Sequence, residues 1–237
     1  MRGQSHVVGV ALLLGIAIVA LGGLTVGVGS LLDAQAATAD ANRVADGMNQ
    51  AFQGIDRAGT HSQRIAFSDG HLATEERTLR IIKNGRVLKT REVDALVFER
   101  GDRRVAAVAG ALVQQHGASA WLVSAPRITD SERNDVFVVG APILNASHVT
   151  VGGTGGVSRT LRIDPSHTEH DLGTGEFAVA IETATPGPFE RYFEEQNAST
   201  NRRTFAGDEH ASVVAHYPGD RQGYLVVHDL SMEVDNG

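Results

Sequence analysis

The chain has no cysteine, which removes disulfides, thiolate metal sites and Cys nucleophiles together. A domain of this length can bury a sufficient core without covalent staples. Lysine is scarce: Lys83 and Lys89 stand against 19 arginines. A GC-rich genome and a salt-loving source both fit that bias, and composition does not choose between them. A basic excess is missing too. The net charge is -7 over 237 residues, so no basic footprint for nucleic acid is present. What the chain does have is 42% hydrophobic residues, enough for a real core and against wholesale disorder.

Chemical motifs are also missing. The run Gly152-Gly153-Thr154-Gly155-Gly156 lacks the Gly-Lys-Ser/Thr ending of a phosphate-binding loop and reads as a flexible strand connection. No Gly-x-Ser-x-Gly nucleophile elbow occurs. His167 and His170, with Glu169 and Asp171 beside them, have a spacing a metal could use. The stretch from Asp164 to Gly173 nevertheless reads as a solvated polar turn, and no distant third ligand stands out. His216 and His228 read as structural residues on the strands of one hairpin. The expectation is no enzyme, no catalytic residues, no cofactor and no metal.

The strongest positive signal is at the start. From Val7 to Leu32 no residue is charged. At ~1.5 Å per residue this is roughly 39 Å of helix, longer than a bilayer core of about 30 Å. A cleaved secretory signal has a shorter apolar region of about 7–15 residues, so a retained transmembrane helix is expected. Arg2 precedes the run, and Asp33 and Asp40 follow it. The positive-inside rule then puts the N-terminus in the cytoplasm and the remainder outside. Gly23 and Gly27 form a small-x-x-x-small pair of the kind that lets membrane helices approach closely. Glycine is also simply common in membrane helices, so the pair has two readings.

Met1-Arg2-Gly3-Gln4-Ser5 places a basic residue and a glycine just ahead of the apolar run. This resembles the class III signal peptide of archaeal type IV pilins and archaellins. The resemblance implies that a prepilin peptidase reads Arg2 and Gly3 and cuts before Gln4, leaving the hydrophobic helix on the mature protein. Many pilins carry glutamate at the fifth mature position, which is Val8 here; a minor pilin or a pilin-like membrane protein is the form implied.

Beyond the run, Ala37, Ala41, Val44, Met48, Ala51 and Ile55 recur at spacings of three and four, with polar residues between them. This is an amphipathic helical stripe, expected to end at Gly59. The rest reads as strands. Asn84-Gly85 and Gly101-Asp102 sit between apolar runs as tight hairpin turns, predicting a four-stranded meander over residues 77–108. Further strands are expected at 120–123, 136–143, 148–151, 160–163 and 177–182. Val213, Ala215 and Tyr217 alternate before Pro218-Gly219-Asp220, predicting a last hairpin that returns over 224–234. Phe189, Tyr192 and Phe193 share one face of a short helix that Pro188 begins. Residues 197–210 read as a polar loop. The layout is similar to that of secreted pilin-like proteins of haloarchaea, with Gly110–Val113, Val123–Pro126 and Phe189–Glu195 sharing that look.

The expected fold is α+β: a long N-terminal hydrophobic and then amphipathic helix, followed by a mainly antiparallel β domain, either a sandwich or an open barrel. Residues 1–3 would be the leader, 4–59 the helix, and 60–237 the extracytoplasmic domain. Asn145-Ala146-Ser147 and Asn197-Ala198-Ser199 match the N-glycosylation acceptor pattern, and glycosylated surface proteins are what the resemblance implies. The expected function is a structural or assembly subunit of pilin-like type at the cell surface. Its partners would be the membrane, the prepilin peptidase and other subunits met through the helix, with no nucleic acid. A membrane-anchored binding domain that never polymerises is the alternative, and an anchored enzyme the third.

Overall fold

The computed structural model describes residues 4–55, 59–146 and 149–236, and the side chains among them apart from those of 4–11, 20–30 and 236. The chain divides into two compact units, Met1–Ala39 and Asp40–Gly237. Helix α1 (Gln4–Gln53) contributes to both.

In the second unit, Ala41, Val44, Ala45, Met48 and Ala51 of α1 are buried, as is Ile55 just beyond it. The small residues in this stripe bring the helix close to the strand beneath. A Cβ at Gly47 would stand 3.3 Å from Ile65 Cγ1. The helix stops at Gln53 rather than at Gly59. An imidazole nitrogen of His61 lies 2.9 Å from the Ala51 carbonyl, so a side chain occupies one of the last-turn carbonyls that an α-helix leaves open.

Seven strands form the first sheet. They are β1 (His61–Glu75), β4 (Ala95–Arg100), β5 (Arg103–Val108), β6 (Ala111–His116), β7 (Ser119–Ser124), β10 (Thr150–Ile163) and β14 (Glu233–Asn236), in the order β14-β10-β1-β4-β5-β6-β7. The second sheet has β2 (Thr78–Lys83), β3 (Arg86–Glu92), β8 (Ile128–Ser131), β9 (Val136–Ile143), β11 (Ser166–Glu182) and β13 (Ser212–Asp229) in the order β3-β2-β11-β13-β9-β8. A short β12 (Ser199–Arg203) pairs with β13 as well. Among the described residues, pairing is antiparallel except between β9 and β13. Helix α2 (Pro186–Glu195) follows β11.

In β4, β5 and β6 the first sheet is buried on both faces, and their alternation divides two cores. Leu96, Phe98, Val105, Ala107 and Leu112 face the α1 stripe. Val97, Ala106, Val108 and Val113 share the other core with Ile81, Val139 and Val179 of the second sheet and with Phe189 and Phe193 of α2. Two sheets packed across one core make a sandwich, and burial on both faces explains why β4 reads as the unbroken run Ala-Leu-Val-Phe.

Five sequence expectations are corrected. Residues 77–108 are not one meander: the β2–β3 hairpin lies in the second sheet and the β4–β5 hairpin in the first. The chain changes sheets at Val93 and Asp94, where Val93 donates to the Arg77 carbonyl at 2.8 Å and Asp94 takes φ 48. The four-stranded meander is instead β4 to β7.

The glycine run at 152–156 is not a loop but part of β10, paired with β1. Phe67 pairs with Val157 and Asp69 with Thr154, so Gly155 and Gly156 stand opposite Ser68 alone. Their φ values of 89 and 101 suit glycine, and the run forms a bulge. Likewise only Asp164 and Pro165 of the expected polar turn lie outside strands, because β11 begins at Ser166.

Pro218-Gly219 is not a hairpin turn. Strand β13 runs on through it, pairing Tyr217 with Phe177 and Asp220 with Glu176. Proline has no N–H to give a ladder, and Gly219 has φ 86. The pair is therefore accommodated as a bulge while β11 keeps its partner on both sides of it. Finally, the polar segment 197–210 contains a strand, β12, held by residues Ser212–His216 of β13.

Candidate functional site

Among the residues singled out in the sequence, Arg2 and Gly3 lie outside the described residues. Gln4 is the first residue of α1, with its side chain outside the description. Gly23 and Gly27 lie within α1, and their surroundings are likewise outside it. Asn145 is exposed, and its Nδ2 donates to both Asp229 carboxylate oxygens at 3.0 Å; Ser147 of its sequon is outside the described residues. Asn197 is exposed at φ 61 and closes α2: its N–H donates to the Glu194 carbonyl and that of Ala198 to the Phe193 carbonyl, each at 3.0 Å. This left-handed cap is one asparagine tolerates, and the buried Ala198 and Phe193 accompany it. The structure brings His167 to His228 across β11 and β13, with Nδ1 atoms 3.0 Å apart.

On α1, Leu12, Leu13, Leu14, Ile16, Ile18 and Val19 are 57–76% exposed, and Leu31 and Leu32 similarly so. Among residues whose side chains are described, no helix is long and apolar enough to cross a membrane.

A charged concavity lies where β1 ends and β2 begins. It has a volume of about 350 Å³ and is lined by Glu75, Glu76, Arg77, Glu92, Asp94 and Glu209 among others. Arg77 is buried in its floor. It donates to the Glu76 carbonyl, to Glu75, and to Glu209 at 3.1 Å. Glu75 also accepts from Arg104 at 2.7 Å. Burial opposes the charge on Arg104, but the hydrogen bonds and charges of Glu75 and Glu99 outweigh it and raise its pKa.

Glu182, also in the lining, is buried and accepts the backbone N–H groups of Thr78, Glu209 and His210 at 3.1, 2.9 and 3.1 Å. Arg80 forms a forked pair with Asp208, and its guanidinium lies 4.4 Å from the centre of the Phe205 ring. These contacts tie the segment 205–210 to β2 and β11. The carboxylates that line the cleft give it the chemistry of recognising positive charge.

A third cluster is at Asp40. Its carboxylate accepts from the Ser68 backbone at 3.0 Å, from the Ser68 hydroxyl at 2.5 Å, and from Arg100. Burial alone would raise its pKa; the donors from Ser68, Arg100 and the Asp69 backbone outweigh this and hold it below the usual carboxylate range.

A family of unknown function, DUF7289, matches residues 2–233. The chain belongs to this family. No curated protein and no solved structure matches it. The DUF7289 match takes in both the N-terminal helix and the β domain.

Sequence patterning assigns no site role to Asp40, Arg77, Arg80, Glu182 or Asp208. Single charged residues interrupting apolar alternation, such as Arg80 within Leu79–Ile82 and Glu182 after Ile181, were the available signal.

Proposed function

We propose that this DUF7289 protein is a pilin-like cell-surface subunit. It is held at the membrane by the apolar part of α1 and presents its β sandwich outside the cell. The observation that carries this reading is the row of aliphatic side chains at 12–19, with Leu31 and Leu32, left exposed on α1. Fully burying a residue of this kind stabilises by about 1.5–3 kcal/mol, so the row favours lipid or neighbouring helices over water. The uncharged run from Val7 to Leu32 gives it membrane-spanning length. The Arg2-Gly3-Gln4 leader supplies the processing site, with the prepilin peptidase as partner and Gly23 and Gly27 as a close-packing pair for other subunits.

The test is the mature N-terminus, read by intact mass and terminal peptide sequencing of protein from native membranes. A chain that begins at Gln4 and keeps its helix supports the subunit reading. A chain that keeps Arg2 and Gly3 removes it and leaves an anchored binding domain that does not polymerise.

A further inference from the structure

The β2–β3 hairpin carries opposite charges at its two ends. Its turn, Asn84-Gly85, is flanked by Lys83 and Arg86, with Lys89 further along β3, and Lys83 and Lys89 are the chain's two lysines. Lys83 is occupied, donating to the Leu172 carbonyl at 2.7 Å. Arg86 and Lys89 have no carboxylate within ion-pair distance among the described residues. Between them Val87 and Leu88 are 46% and 41% exposed.

Regular alternation would turn one of these two neighbours inward. The register explains why both face out: Ile81 pairs with Lys89 and Ile82 with Val87, so Leu88 is an extra residue in a bulge. A bulge guards an edge strand, but guarding does not require two exposed aliphatics between two unpaired cations in a chain of net charge -7. Such a patch suits an acidic partner with room for a protruding tip.

The other end of the same hairpin supplies that surface. Thr78 and Glu92 form its last register pair and both line the carboxylate cleft. Five residue steps at ~3.3 Å separate the two ends by roughly 17 Å. Within the cleft Glu75 and Glu209 answer Arg77, while Glu76 and Glu92 have no cation within ion-pair distance among the described residues.

We propose that the basic tip of this hairpin docks into the carboxylate cleft of a second copy of the chain, Arg86 and Lys89 meeting Glu76 and Glu92. The contact uses two different surfaces of one molecule, so it is heterologous and repeats head to tail. A closing two-fold dimer does not need it; a growing row of subunits does. It rests on the assembly reading and names the surface through which the β domains would take part.

The absence of cysteine makes the test clean. Full-length protein is co-expressed in native membranes as two variants, Val87→Cys at the tip and Thr78→Cys in the cleft lining, and treated with a short bis-maleimide. A third sample carries Gly23→Cys to report helix–helix proximity independently. A dimer band joining the tip and cleft variants is expected. Arg86→Glu with Lys89→Glu should lower its yield by about tenfold or more, because attractive pairs become repulsive. Adding Glu76→Arg and Glu92→Arg to the cleft partner should restore it. Loss of the tip–cleft band while the Gly23→Cys band persists overturns this contact and leaves the subunit reading standing. Loss of both bands overturns both. A band between two Val87→Cys copies, or maleimide protection of Val87→Cys only by vesicles containing anionic lipid, also overturns the proposal, in favour of a symmetric contact or a membrane surface.

Discussion

Asp40 on the helix and Arg100 at the end of β4 form an ion pair whose members are both almost wholly buried. Ser68 of β1 bridges them, its hydroxyl donating to Asp40 and accepting from Arg100 at 3.0 Å. Three segments far apart in sequence therefore meet at one carboxylate, and helix and sheet are fastened by directional bonds as well as by the apolar stripe.

Removing that carboxylate takes from Arg100 the buried acceptor it shares with Ser68, with the half-exposed Asp69 at 3.9 Å as a more distant counter-charge. Asp40→Ala should cost about 3–5 kcal/mol, the usual penalty for breaking a buried pair from one side. Chemical denaturation of the full chain in detergent, read by near-UV circular dichroism, measures it. A loss below about 0.5 kcal/mol, typical of neutral surface substitutions, would refute the fastening role.

The same group sets a pH dependence. Its folded pKa lies below the ordinary value, so its contribution is complete above the unfolded pKa of about 3.9 and is lost as pH falls through the lower folded value. Asp40→Asn should flatten that acid limb while leaving the shape of the stability profile near neutral pH unchanged. A variant whose acid limb matches wild type would assign the limb to other carboxylates.

Glu182 should behave as the organiser of the segment 205–210. Glu182→Gln keeps the shape but gives up the charge that three N–H groups share, at an expected cost of about 1.5–3 kcal/mol. Hydrogen exchange should quicken at Thr78, Glu209 and His210 together. Acceleration spread evenly over the domain would count against a local role.

Gly223 marks a place where the second sheet tolerates no side chain. A Cβ there would meet the Phe177 ring at 2.3–2.9 Å, and that ring is stacked on Phe137 with centroids 5.2 Å apart. Gly223→Ala should destabilise by about 1–3 kcal/mol through overpacking. Adding Phe177→Leu should recover part of the loss, a non-additivity that thermal unfolding of the two single variants and the double variant can read.

The two sequons should differ. The Asn145 amide nitrogen is engaged by Asp229, whereas Asn197 is an exposed cap. Glycopeptide mass spectrometry of native protein should place sugar on Asn197 in preference to Asn145. The reverse occupancy would show that modification precedes the fold and ignores it. Separately, Asn197→Ala should cost about 1–2 kcal/mol for the left-handed backbone, and Asn197→Gly should not.

Local periodicity in the sequence determined much of the β domain. The three-and-four spacing of Ala41, Val44, Met48, Ala51 and Ile55 marked the buried helical stripe, and Asn84-Gly85 and Gly101-Asp102 marked two hairpins that are present. Phe189 and Phe193 marked the buried face of α2. Each of these signals depends on residues within a turn or two of one another, so one stretch of chain suffices to state it.

Only the tertiary structure decided what those elements join. Whether β3 and β4 share a sheet depends on strands that arrive elsewhere in the chain. Whether Pro218-Gly219 reverses β13 or only bulges it depends on β11 continuing alongside. The glycines at 152–156 became strand because β1 offered a partner. The charged cleft had no local signature either, since Glu75, Arg77, Glu182 and Glu209 come together only once the sheets are built. Periodicity records which face of an element is apolar, whereas sheet membership and charge pairing are fixed by long-range contacts that no single stretch of sequence contains.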